Sequence, residues 1–458
     1  MALDVPRDLL EKHDKPGPRY TSYPTVPAWT AGFGEADYRE ALRELAARPG
    51  DELSLYLHLP FCAKHCHYCG CNAVVSNEKG AVDDYLDRVE RELAAVVDVL
   101  GPGRRVVQLH WGGGTPNFLK DHQVERALGL LRAAFAVDPR GEISLEVDPR
   151  IGTPEQVRFL RAQGFNRISL GVQDFEPAVQ KAIGRLQKRD RTLDLYRACR
   201  EAGYEGVNLD LVYGLPEQTR DSFARTLRDI IAQGPDRVAC FSYAHVPWVR
   251  PRQKLINTDN MPSGFEKFEL FRLAIDLFAE AGYDWVGIDH FARRDDELAV
   301  ALRERRLHRN FMGYTTRPAP HMLAFGMSGI GDVCDRFVQN DAELDGYRAA
   351  IDAGRLPVVK GHRLSDDDRL RRLAILNLMC NLELPYALTV PGFGAPADEL
   401  LADGLARLRP YVDEGFVEFL PDRVRVTDLG RFFVRNLCME LDAYLDRTSG
   451  KPLFSKTI

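Results

Sequence analysis

Short strand-like runs alternate with helical stretches along the first two thirds of this chain. Six runs are candidate strands: Leu53–Leu59, Val106–Trp111, Glu142–Val147, Arg167–Val172, Val207–Gly214 and Arg237–Ala244. Tyr283–Ile288 is a candidate seventh. Regular alternation of this kind predicts a parallel sheet whose strands are joined by right-handed helical crossovers. We therefore expect an α/β fold, either a barrel or an open sheet.

Chemically rich loops follow these strands. They read PFCAKHC, GGGTP, DPR, QDF, GLPEQT and HVP. Any one of them alone is typical of a plain turn. Loops at the carboxyl ends of parallel strands form the active site in barrels and in open α/β sheets. Because the pattern recurs after six strands, we predict one site built from all six loops.

The alternation stops after about Arg293. From Ser365 the sequence predicts helices, then a two-stranded wing, FVEFL–PDR–VRVT, and then a further helix. This order is typical of a winged-helix domain, but the domain lacks a basic recognition helix, so we expect a structural lid or packing role. We divide the chain into four parts: an N-terminal arm (1–51), a barrel (52–292), a connecting and substrate-loop region (293–364) and a C-terminal helical domain (365–458).

Composition excludes several classes of function. The chain has 61 Lys and Arg against 67 Asp and Glu, a net charge of −6, so it has no basic excess for binding nucleic acid. No apolar run is long enough to span a membrane, and the first residues lack the apolar core of a signal peptide. We therefore expect a cytoplasmic protein.

Four cysteines lie within ten residues, in the stretch PFCAKHCHYCGCN from Pro60 to Asn72. Disulfides, zinc and an iron–sulfur cluster are the three possible reasons. A reducing compartment argues against disulfides. Zinc favours paired C-x2-C spacings from separate loops, but it stays open, with His65, His67 or Cys71 as a fourth ligand. In a four-iron cluster, three thiolates from one loop would leave one iron without a protein ligand.

The spacing C-x3-C-x2-C at the end of the first strand, with Tyr68 before the third cysteine, resembles the radical S-adenosylmethionine (SAM) enzymes. The resemblance implies a [4Fe–4S] cluster whose open iron is chelated by the amino and carboxylate groups of SAM. A reduced, thiolate-held cluster gives one electron to the sulfonium of SAM. Cleavage of the sulfur–carbon bond then yields a 5′-deoxyadenosyl radical that removes hydrogen from an unactivated carbon.

Further motifs narrow the resemblance, and they cover nearly the whole chain in order. They are PGPRYTSYPT, YLHLPFCAKHCHYCGCN, QLHWGGGTP, ISLEVDPR, GFNRISLGVQDF, NLDLVYGLPEQT, YAHVP, IDHFAR, LHRNFMGYTT and LFSKTI. Together they resemble the oxygen-independent coproporphyrinogen III oxidases. The resemblance implies a partial (β/α)6 radical SAM barrel. It also implies oxidative decarboxylation of two propionates of coproporphyrinogen III to vinyl groups, giving protoporphyrinogen IX in anaerobic haem biosynthesis.

The same resemblance implies the site residues. Cys62, Cys66 and Cys69 would ligate the cluster, whereas Cys71 would not. The residues implied to contact SAM, of which the family is thought to hold two molecules, are Tyr56, Tyr68, Gly113, Gly114, Thr115, Glu146, Gln173, Arg185, Asp210, Ala244 and Ile330. Tyr56 and His58 share one face of the first strand, directed into the barrel near the cluster, and are the candidate catalytic residues.

Structural interpretations compete with several of these assignments. Glu146 and Asp210 are also placed to cap the helices that follow. Gln173 is suited to satisfying a buried backbone group, and Arg185 to pairing with an acid on a helix surface.

The substrate contacts follow from position in the chain. Aromatic surface is offered by Tyr20, Tyr23, Phe311 and Tyr314, and carboxylate clamps by Arg19, Arg293, Arg309 and Arg317. We expect the arm 19–25 and the loop 315–320 to cover the substrate as lids. The expected partners are a porphyrinogen and an electron donor such as flavodoxin, and we expect a monomer.

One stretch departs from the family pattern. RPAPHMLAFGMSGIGDVCD, from Arg317, differs from what relatives carry. It leaves open a related radical SAM enzyme that acts on another substrate by methyl transfer, cyclopropanation or haem degradation. A haem chaperone is the non-enzymatic alternative, although Cys71 and the aromatic arm argue against it.

Overall fold

A computed structural model describes residues 5–76, 78–388, 399, 401–445 and 454–457. The ends of the LFSKTI tail, Leu453 and Ile458, lie outside these residues. The strands are β1 (Leu53–Leu59), β2 (Arg104–Gly113), β3 (Phe135–Val147), β4 (Arg167–Gln173), β5 (Gly206–Tyr213), β6 (Arg237–Ser242), β7 (Tyr283–Val286), β8 (His290–Arg293), β9 (His308–Asn310), β10 (Gly313–Thr315), β11 (His321–Phe325), β12 (Ile330–Val333), β13 (Arg336–Asn340), β14 (Val358–Arg363), β15 (Glu383–Pro385), β16 (Val417–Phe419) and β17 (Arg423–Val426).

Helices follow most of the parallel strands and cover the sheet. The α-helices are α1 (Arg7–His13), α2 (Glu35–Ala46), α3 (Ala81–Leu100), α4 (Asp121–Ala134), α5 (Pro154–Ala162), α6 (Pro177–Ala182), α7 (Arg189–Glu201), α8 (Arg220–Gln233), α9 (Gly264–Glu280), α10 (Glu297–Arg303), α11 (Leu344–Asp352), α12 (Asp366–Asn381), α13 (Ala402–Leu408), α14 (Pro410–Asp413) and α15 (Val434–Leu441). Short 3₁₀ turns occupy Val26–Ala28, Pro116–Phe118, Pro251–Leu255 and Gly430–Phe433. Within the described residues, no helix has the length and apolar character needed to cross a membrane.

Twelve strands form one sheet in the order β14-β13-β12-β11-β1-β2-β3-β4-β5-β6-β8-β7. β11 and β1 to β6 run parallel, and the outer strands pair antiparallel. The predicted α/β fold with six βα units is confirmed. The sheet ends at β14 and β7, so it is open and corresponds to a partial barrel. Its strands bury apolar residues on both faces, as expected for a parallel sheet covered by helices, and Trp111 and Phe165 are almost fully buried.

Two features of the sheet differ from the sequence prediction. The seventh run does not continue the parallel series, because β7 and β8 form a tight antiparallel hairpin through Gly287, whose φ of +59° suits a turn. The region 293–364 also does more than connect two domains. It supplies β11 to β14, which extend the sheet beyond β1. The four proposed domain limits stay predictions.

The C-terminal part packs on the N-terminal arm around a second apolar core. The predicted wing is present as β16 and β17, and β15 completes a three-stranded sheet. The arm is anchored rather than free: Tyr20 donates to Asp442 Oδ2 over 3.0 Å, and Arg435 Nε donates to the Pro18 carbonyl over 3.0 Å. Both side chains are buried. The arm is thus part of the folded protein.

Candidate active site

The cysteine loop begins where β1 ends and is fixed by backbone hydrogen bonds. Cys62 N donates to Val74 O over 2.9 Å, and Val74 N donates to Pro60 O over 2.7 Å. His67 N donates to Ile183 O over 2.9 Å, which ties the middle of the loop to the end of α6. Parallel strands deliver the other loops to the same edge of the sheet. The cysteine loop therefore meets them there.

A cavity of about 550 Å³ opens at this edge. Of the fifteen residues predicted to bind the cluster or SAM or to act in catalysis, eleven line it: Cys62, Cys66, Tyr68, Cys69, Gly114, Thr115, Glu146, Gln173, Arg185, Asp210 and Ala244. Four other predicted residues, Tyr56, His58, Gly113 and Ile330, are not among those that line it. The predicted single site built from several loops is thus one continuous cavity.

The three cysteines lie in different surroundings. The Sγ atom of Cys62 lies 3.1 Å from Thr115 Oγ1, and burial raises the pKa of this thiol to about 11. Hydrogen bonding from Cys71 lowers the pKa of Cys69 to about 6. Cys66 Sγ accepts a long contact of 3.6 Å from Arg185 Nη1. All nine cysteines of the chain are unpaired.

Arg185 belongs to a buried charged cluster that the sequence did not predict. Its Nη2 donates to Asp148 Oδ1 over 3.1 Å and to Gly171 O over 2.7 Å. Arg150 binds the same carboxylate through Nε and Nη2, at 2.9 and 2.6 Å from Oδ2. Burial raises the pKa of Asp148, but Arg185 and Arg150 outweigh that effect and hold it below its usual range. Two arginines and one aspartate leave a net charge of +1 at the wall of the cavity.

The surroundings of Arg185 decide between the two interpretations of this residue. It does pair with an acid, but that acid is buried at the end of β3 rather than on a helix surface. Its Nε is buried and has no hydrogen-bond partner among the described residues. The guanidinium of Arg185 lines the cavity, and a planar guanidinium is suited to binding a carboxylate.

Glu146, Asp210 and Gln173 lie along one side of the cavity. Neither acid caps a helix, because Thr153 and Thr219 are the N-caps of α5 and α8. Ser169 and Asn208 donate to Asp210 over 2.8 and 2.7 Å, and burial raises its pKa to about 6. The Glu146 side chain is 45% exposed, and its Oε1 lies 3.6 Å from His110 Nε2. Glu146 is therefore the more available of the two for hydrogen bonding to a ligand.

Gln173 has a strained backbone. Its φ is +67°, in the left-handed region that residues other than glycine rarely adopt. The strain coincides with a register shift between β4 and β5. Strained residues of this kind are concentrated at functional sites, which supports a functional rather than a structural role for Gln173.

Tyr56 and His58 share one face of β1, as predicted, but His58 lies behind the cavity wall. Its Nε2 donates to Asn72 O over 2.9 Å, so its Nδ1 is left to accept from the Tyr56 hydroxyl at 3.1 Å. Burial lowers the pKa of His58, which favours the neutral ring. Neither Tyr56 nor His58 is among the residues that line the cavity, and their catalytic role stays a prediction.

The two glycines at the end of β2, Gly113 and Gly114, are required by packing against β1 and the residues that follow it. Gly113 has φ +114°, and a Cβ there would lie 2.6 Å from the His58 ring. A Cβ on Gly114 would lie 2.3 Å from the Pro60 carbonyl oxygen. Close approach of the two loops therefore explains both glycines. Ile330 packs beside Trp29 and Phe337 and is not among the residues that line the cavity.

Most of the expected substrate contacts lie elsewhere. Among the four arginines, Arg19 lines the cavity, and its Nη2 donates to Ser242 O over 2.8 Å. Arg293 pairs with Asp295 on the surface, and Arg309 Nη1 donates to Arg19 O. Among the aromatic candidates, Tyr20, Tyr23 and Tyr314 are buried in the core, and Phe311 is half-buried.

The loop 315–320 is not a lid on this cavity, and that expectation is wrong. β11 runs parallel to β1, with His321 opposite Leu53, so the preceding loop lies at the amino end of the strands. Arg317 donates there to the Arg140 carbonyl over 2.6 Å. The stretch that departs from the family pattern begins at the opposite edge of the sheet from the cysteines.

A loop of three cysteines at the end of the first of six parallel strands defines the radical SAM class. The family model "Radical SAM superfamily" matches residues 56–230, and "HemN C-terminal domain" matches residues 364–433. The chain is 41% identical to an oxygen-independent coproporphyrinogen III oxidase of Escherichia coli (strain K12), covering 100% of this chain and 99% of that one. The enzyme of the same name from Synechocystis is 40% identical over 100% of this chain and 98% of its own length.

A solved structure agrees with these sequences. Coproporphyrinogen III oxidase (HemN) from Escherichia coli, described as a radical SAM enzyme, superposes with a TM-score of 0.90 at 40% identity, covering 97% of this chain and 100% of that chain. The chain belongs to the family of oxygen-independent coproporphyrinogen III oxidases.

Several residues of the cavity wall were not predicted from the sequence. Asp148, Arg150, Lys64, Arg250 and Gln253 all line it. Asp148 and Arg150 stand in the DPR loop after β3, so the position of that loop was a usable signal. Arg250 and Gln253 lie beyond the HVP loop, in a segment with no strand or motif to mark it.

Proposed function

We propose that this protein carries out the reaction of its family, the oxidative decarboxylation of two propionate side chains of coproporphyrinogen III. The product is protoporphyrinogen IX, in which two vinyl groups replace the propionates. The observation that carries the proposal is that Cys62, Cys66 and Cys69 line one cavity together with the Arg185–Asp148–Arg150 cluster, in a chain that resembles these oxidases along its whole length.

The residues present fit a [4Fe–4S] cluster and SAM. Three thiols of one loop face the cavity, which suits a cluster with one iron left for another ligand. The cluster of Arg185, Arg150 and Asp148 carries a net charge of +1, which one further carboxylate, that of SAM, would neutralise. When bound, the cluster and SAM together would supply the radical that removes a hydrogen atom from the propionate carbon beside the macrocycle. The substrate would then lose carbon dioxide and one electron, which passes to an electron acceptor, and the vinyl group remains.

The residues around the thiols would adjust their charge. The Thr115 hydroxyl is placed to donate to Cys62 when that sulfur is ionised, and Arg185 places a positive charge beside Cys66. Hydrogen bonds and positive charge near the sulfurs of a cluster make it easier to reduce. We infer that Thr115 and Arg185 favour entry of the electron.

The remaining contacts would hold SAM in place. Arg185 would bind the carboxylate, and Glu146 and Asp210 would accept hydrogen bonds from the amino and ribose groups. Tyr68 and Ala244 would complete the wall. Two successive decarboxylations require two SAM molecules, and we propose that both bind in this cavity. Tyr56 and His58 would keep the cysteine loop in position against β2.

Arg19 is the proposed contact for a substrate carboxylate. It reaches the cavity from the arm, and its ordinary partner there is a backbone carbonyl, that of Ser242, rather than an acid. An arginine without an acidic partner is free to take a bidentate carboxylate. The remaining propionates of the porphyrinogen are left for other cations at the cavity, such as Arg250.

Location, assembly and donor complete the proposal. Nine unpaired cysteines suit a reducing compartment, so we place the protein in the cytoplasm. We propose a monomer that receives electrons from a donor such as flavodoxin. Light scattering on the cluster-loaded protein tests the monomer, since a mass of twice 51.7 kDa would contradict it.

An anaerobic assay with coproporphyrinogen III, SAM and dithionite tests the function. We expect protoporphyrinogen IX and 5′-deoxyadenosine to form together, in protein that contains about four iron and four sulfide per chain. Cleavage of SAM with another tetrapyrrole, and none with coproporphyrinogen III, would identify a different member of the superfamily. Haem binding without any SAM-dependent product would instead support a chaperone.

A further inference from the structure

The cysteine loop and two segments that contact it are rich in basic residues. The three segments are 60–76, 177–188, which follows Glu176 in the chain, and 243–258, which precedes Asp259, and we call them the basic collar. They contain seven Lys and Arg residues and no Asp or Glu, although the chain as a whole has 67 acids against 61 bases. One of the seven, Arg185, is buried in the cavity wall. The other six give the collar a local charge opposite in sign to that of the chain.

Direct contacts join the three segments into one surface. His67 N in the cysteine loop donates to Ile183 O in the second segment over 2.9 Å. Gln253 Nε2 in the third segment donates to Tyr68 O over 2.9 Å, and Arg250 Nη1 donates to Asn72 Oδ1 over 2.9 Å. The two segments that carry most of the collar's charged side chains therefore both contact the cysteine loop.

The cations of the collar other than Arg185 form no salt bridges with acidic residues in the described part of the chain. They are Lys64, Lys181, Lys188, Arg250, Arg252 and Lys254. Among the residues that the structure describes, none of the six forms a salt bridge, and Arg250 binds an amide instead. Surface arginines elsewhere are widely paired, as Arg189 is with Asp229. Unpaired charge of one sign is available to an external partner.

Exposed apolar side chains are concentrated on the same surface. Eight large apolar side chains are well exposed in the described part of the chain, and five of them belong to the collar: Val75, Leu186, Trp248, Val249 and Leu255. The collar is only about a tenth of the sequence. Trp248 is 57% exposed and Leu255 62%. Exposed apolar residues rimmed by charge are typical of a protein interaction site.

We propose that the basic collar docks an acidic protein that carries one electron at low potential. The inference rests on the proposed function, since the cluster held by Cys62, Cys66 and Cys69 must be reduced before SAM is cleaved. The partner loses one electron and the cluster gains it, and no bond forms or breaks between the two proteins. Basic charge would steer the acidic partner toward the cysteine loop. Trp248 and Leu255 would supply the small apolar contact of a transient complex.

Stopped-flow oxidation of a reduced, acidic flavodoxin by the anaerobic, cluster-loaded protein with SAM tests this docking. In the double variant Arg252→Glu/Lys254→Glu we expect the second-order rate constant to fall at least about tenfold at low salt. The rate constant of the unaltered protein should fall as salt rises from about 50 to 500 mM, and that of the variant should change little. Trp248→Ala should lower the rate at both salt concentrations.

Two controls separate docking from other effects. Arg228→Glu/Arg355→Glu makes the same change of charge at exposed positions outside the collar, and should leave the rate constant within about twofold. Dithionite, which needs no docking surface, should support the same 5′-deoxyadenosine formation in every variant.

The outcomes distinguish this inference from the function on which it rests. If dithionite supports SAM cleavage but Arg252→Glu/Lys254→Glu does not slow flavodoxin oxidation, the collar is not the docking site. An equal loss of rate in the control variant would also overturn the inference, because net charge alone would then explain it. If the collar bound tRNA and did not bind flavodoxin, its partner would be a nucleic acid, which would contradict the proposal. Absence of SAM cleavage with dithionite would overturn the proposed function itself.

Discussion

The guanidinium of Arg185 donates to Asp148 at the edge of the cavity, with Nη2 lying 3.1 Å from Oδ1, and both side chains are buried. Because Arg150 binds the same carboxylate, Asp148 holds two arginines beside the cysteines. The residue proposed to bind SAM is thus already fixed in position before any ligand enters. Such preorganisation lowers the cost of binding.

Removal of Arg185 should affect both binding and stability. Arg185→Ala is expected to weaken SAM binding by about 2–4 kcal/mol, because the carboxylate of bound SAM would be buried without its partner. Leaving Asp148 with one arginine should also lower the free energy of unfolding, by up to about 3–5 kcal/mol. Anaerobic calorimetry with SAM and denaturant unfolding measure the two effects.

Arg237→Ala is the matched control for Arg185. Arg237 is also largely buried and pairs with Asp296 and Glu297, away from the cysteine loop. The Arg237→Ala variant should lose stability to a similar extent as Arg185→Ala and should keep the SAM affinity of the unaltered protein. Unchanged SAM affinity in Arg185→Ala, with the cluster intact, would remove Arg185 from the binding site.

Serine substitution should distinguish the three cluster ligands from Cys71, which is predicted not to bind the cluster. Replacing Cys62, Cys66 or Cys69 with Ser is expected to abolish the cluster, whereas Cys71→Ser should retain it. Cys71 is exposed, and its backbone N–H, which serine keeps, donates to Cys69 Sγ at 3.4 Å; serine also keeps a side-chain donor in place of the thiol. Iron and sulfide analysis with visible spectroscopy measures the loss. Stoichiometric zinc without sulfide would contradict the cluster assignment.

The hydroxyl of Thr115 should raise the reduction potential of the cluster. Thr115→Val removes the group 3.1 Å from Cys62 Sγ. The potential should fall by on the order of 40 mV for each kcal/mol of lost hydrogen bonding in a one-electron couple. Thr115→Ser keeps the hydroxyl and should restore the original value. A redox titration followed by electron paramagnetic resonance measures the shift, and equal potentials in both variants would refute the role.

Arg19 and Arg317 make a contrasting pair for substrate binding. Arg19→Ala is expected to raise KM for coproporphyrinogen III about tenfold or more, while cluster content and SAM binding stay unchanged. Arg317 lies at the opposite edge of the sheet, so Arg317→Ala should leave KM unaltered. Deleting residues 1–25 is a poorer test, because the arm is anchored to Asp442 and Arg435. A kinetic effect confined to Arg317→Ala would place the substrate elsewhere.

The contribution of Glu92 to stability should fall as pH rises toward neutrality. Burial raises the pKa of Glu92 to about 7, so the folded protein holds a proton that the unfolded chain releases at lower pH. The stabilising contribution of this proton is complete below the unfolded pKa and is lost as pH rises through about 7. The loss should reach about 3 kcal/mol. Denaturant unfolding at several pH values measures it, and Glu92→Gln should show a flatter profile than the unaltered protein.

Local patterns were enough to predict most of the central sheet. The run Leu53–Leu59 has the bounds of β1, because a buried strand bounded by a polar turn and Pro60 has clear ends. β11, which lies inside the sheet beside β1, was missed because its pairing joins distant segments of the chain. β11 joins β1 across more than 260 residues, and no short-range period marks it. The same reason explains why the loop 315–320 was placed at the wrong edge.

The sequence indicated which residues line the cavity better than it indicated which side chains contact one another. Loops after parallel strands brought Glu146, Gln173 and Asp210 to one cavity, as their position in the chain indicated. The pairing of Arg185 with Asp148 could not be predicted, because it depends on which side chains two separate loops bury together. His58 shares the face of Tyr56 as expected, but packing under Gly113 takes it out of the cavity.

Transfer of a labelled hydrogen tests the central claim most directly. Coproporphyrinogen III would carry deuterium on the propionate carbons next to the macrocycle, and the 5′-deoxyadenosine formed under anaerobic conditions would be analysed by mass spectrometry. We predict that 5′-deoxyadenosine gains one deuterium for each vinyl group formed. Formation of vinyl groups with unlabelled 5′-deoxyadenosine, or deuterium transfer without loss of carbon dioxide, would contradict the proposed reaction.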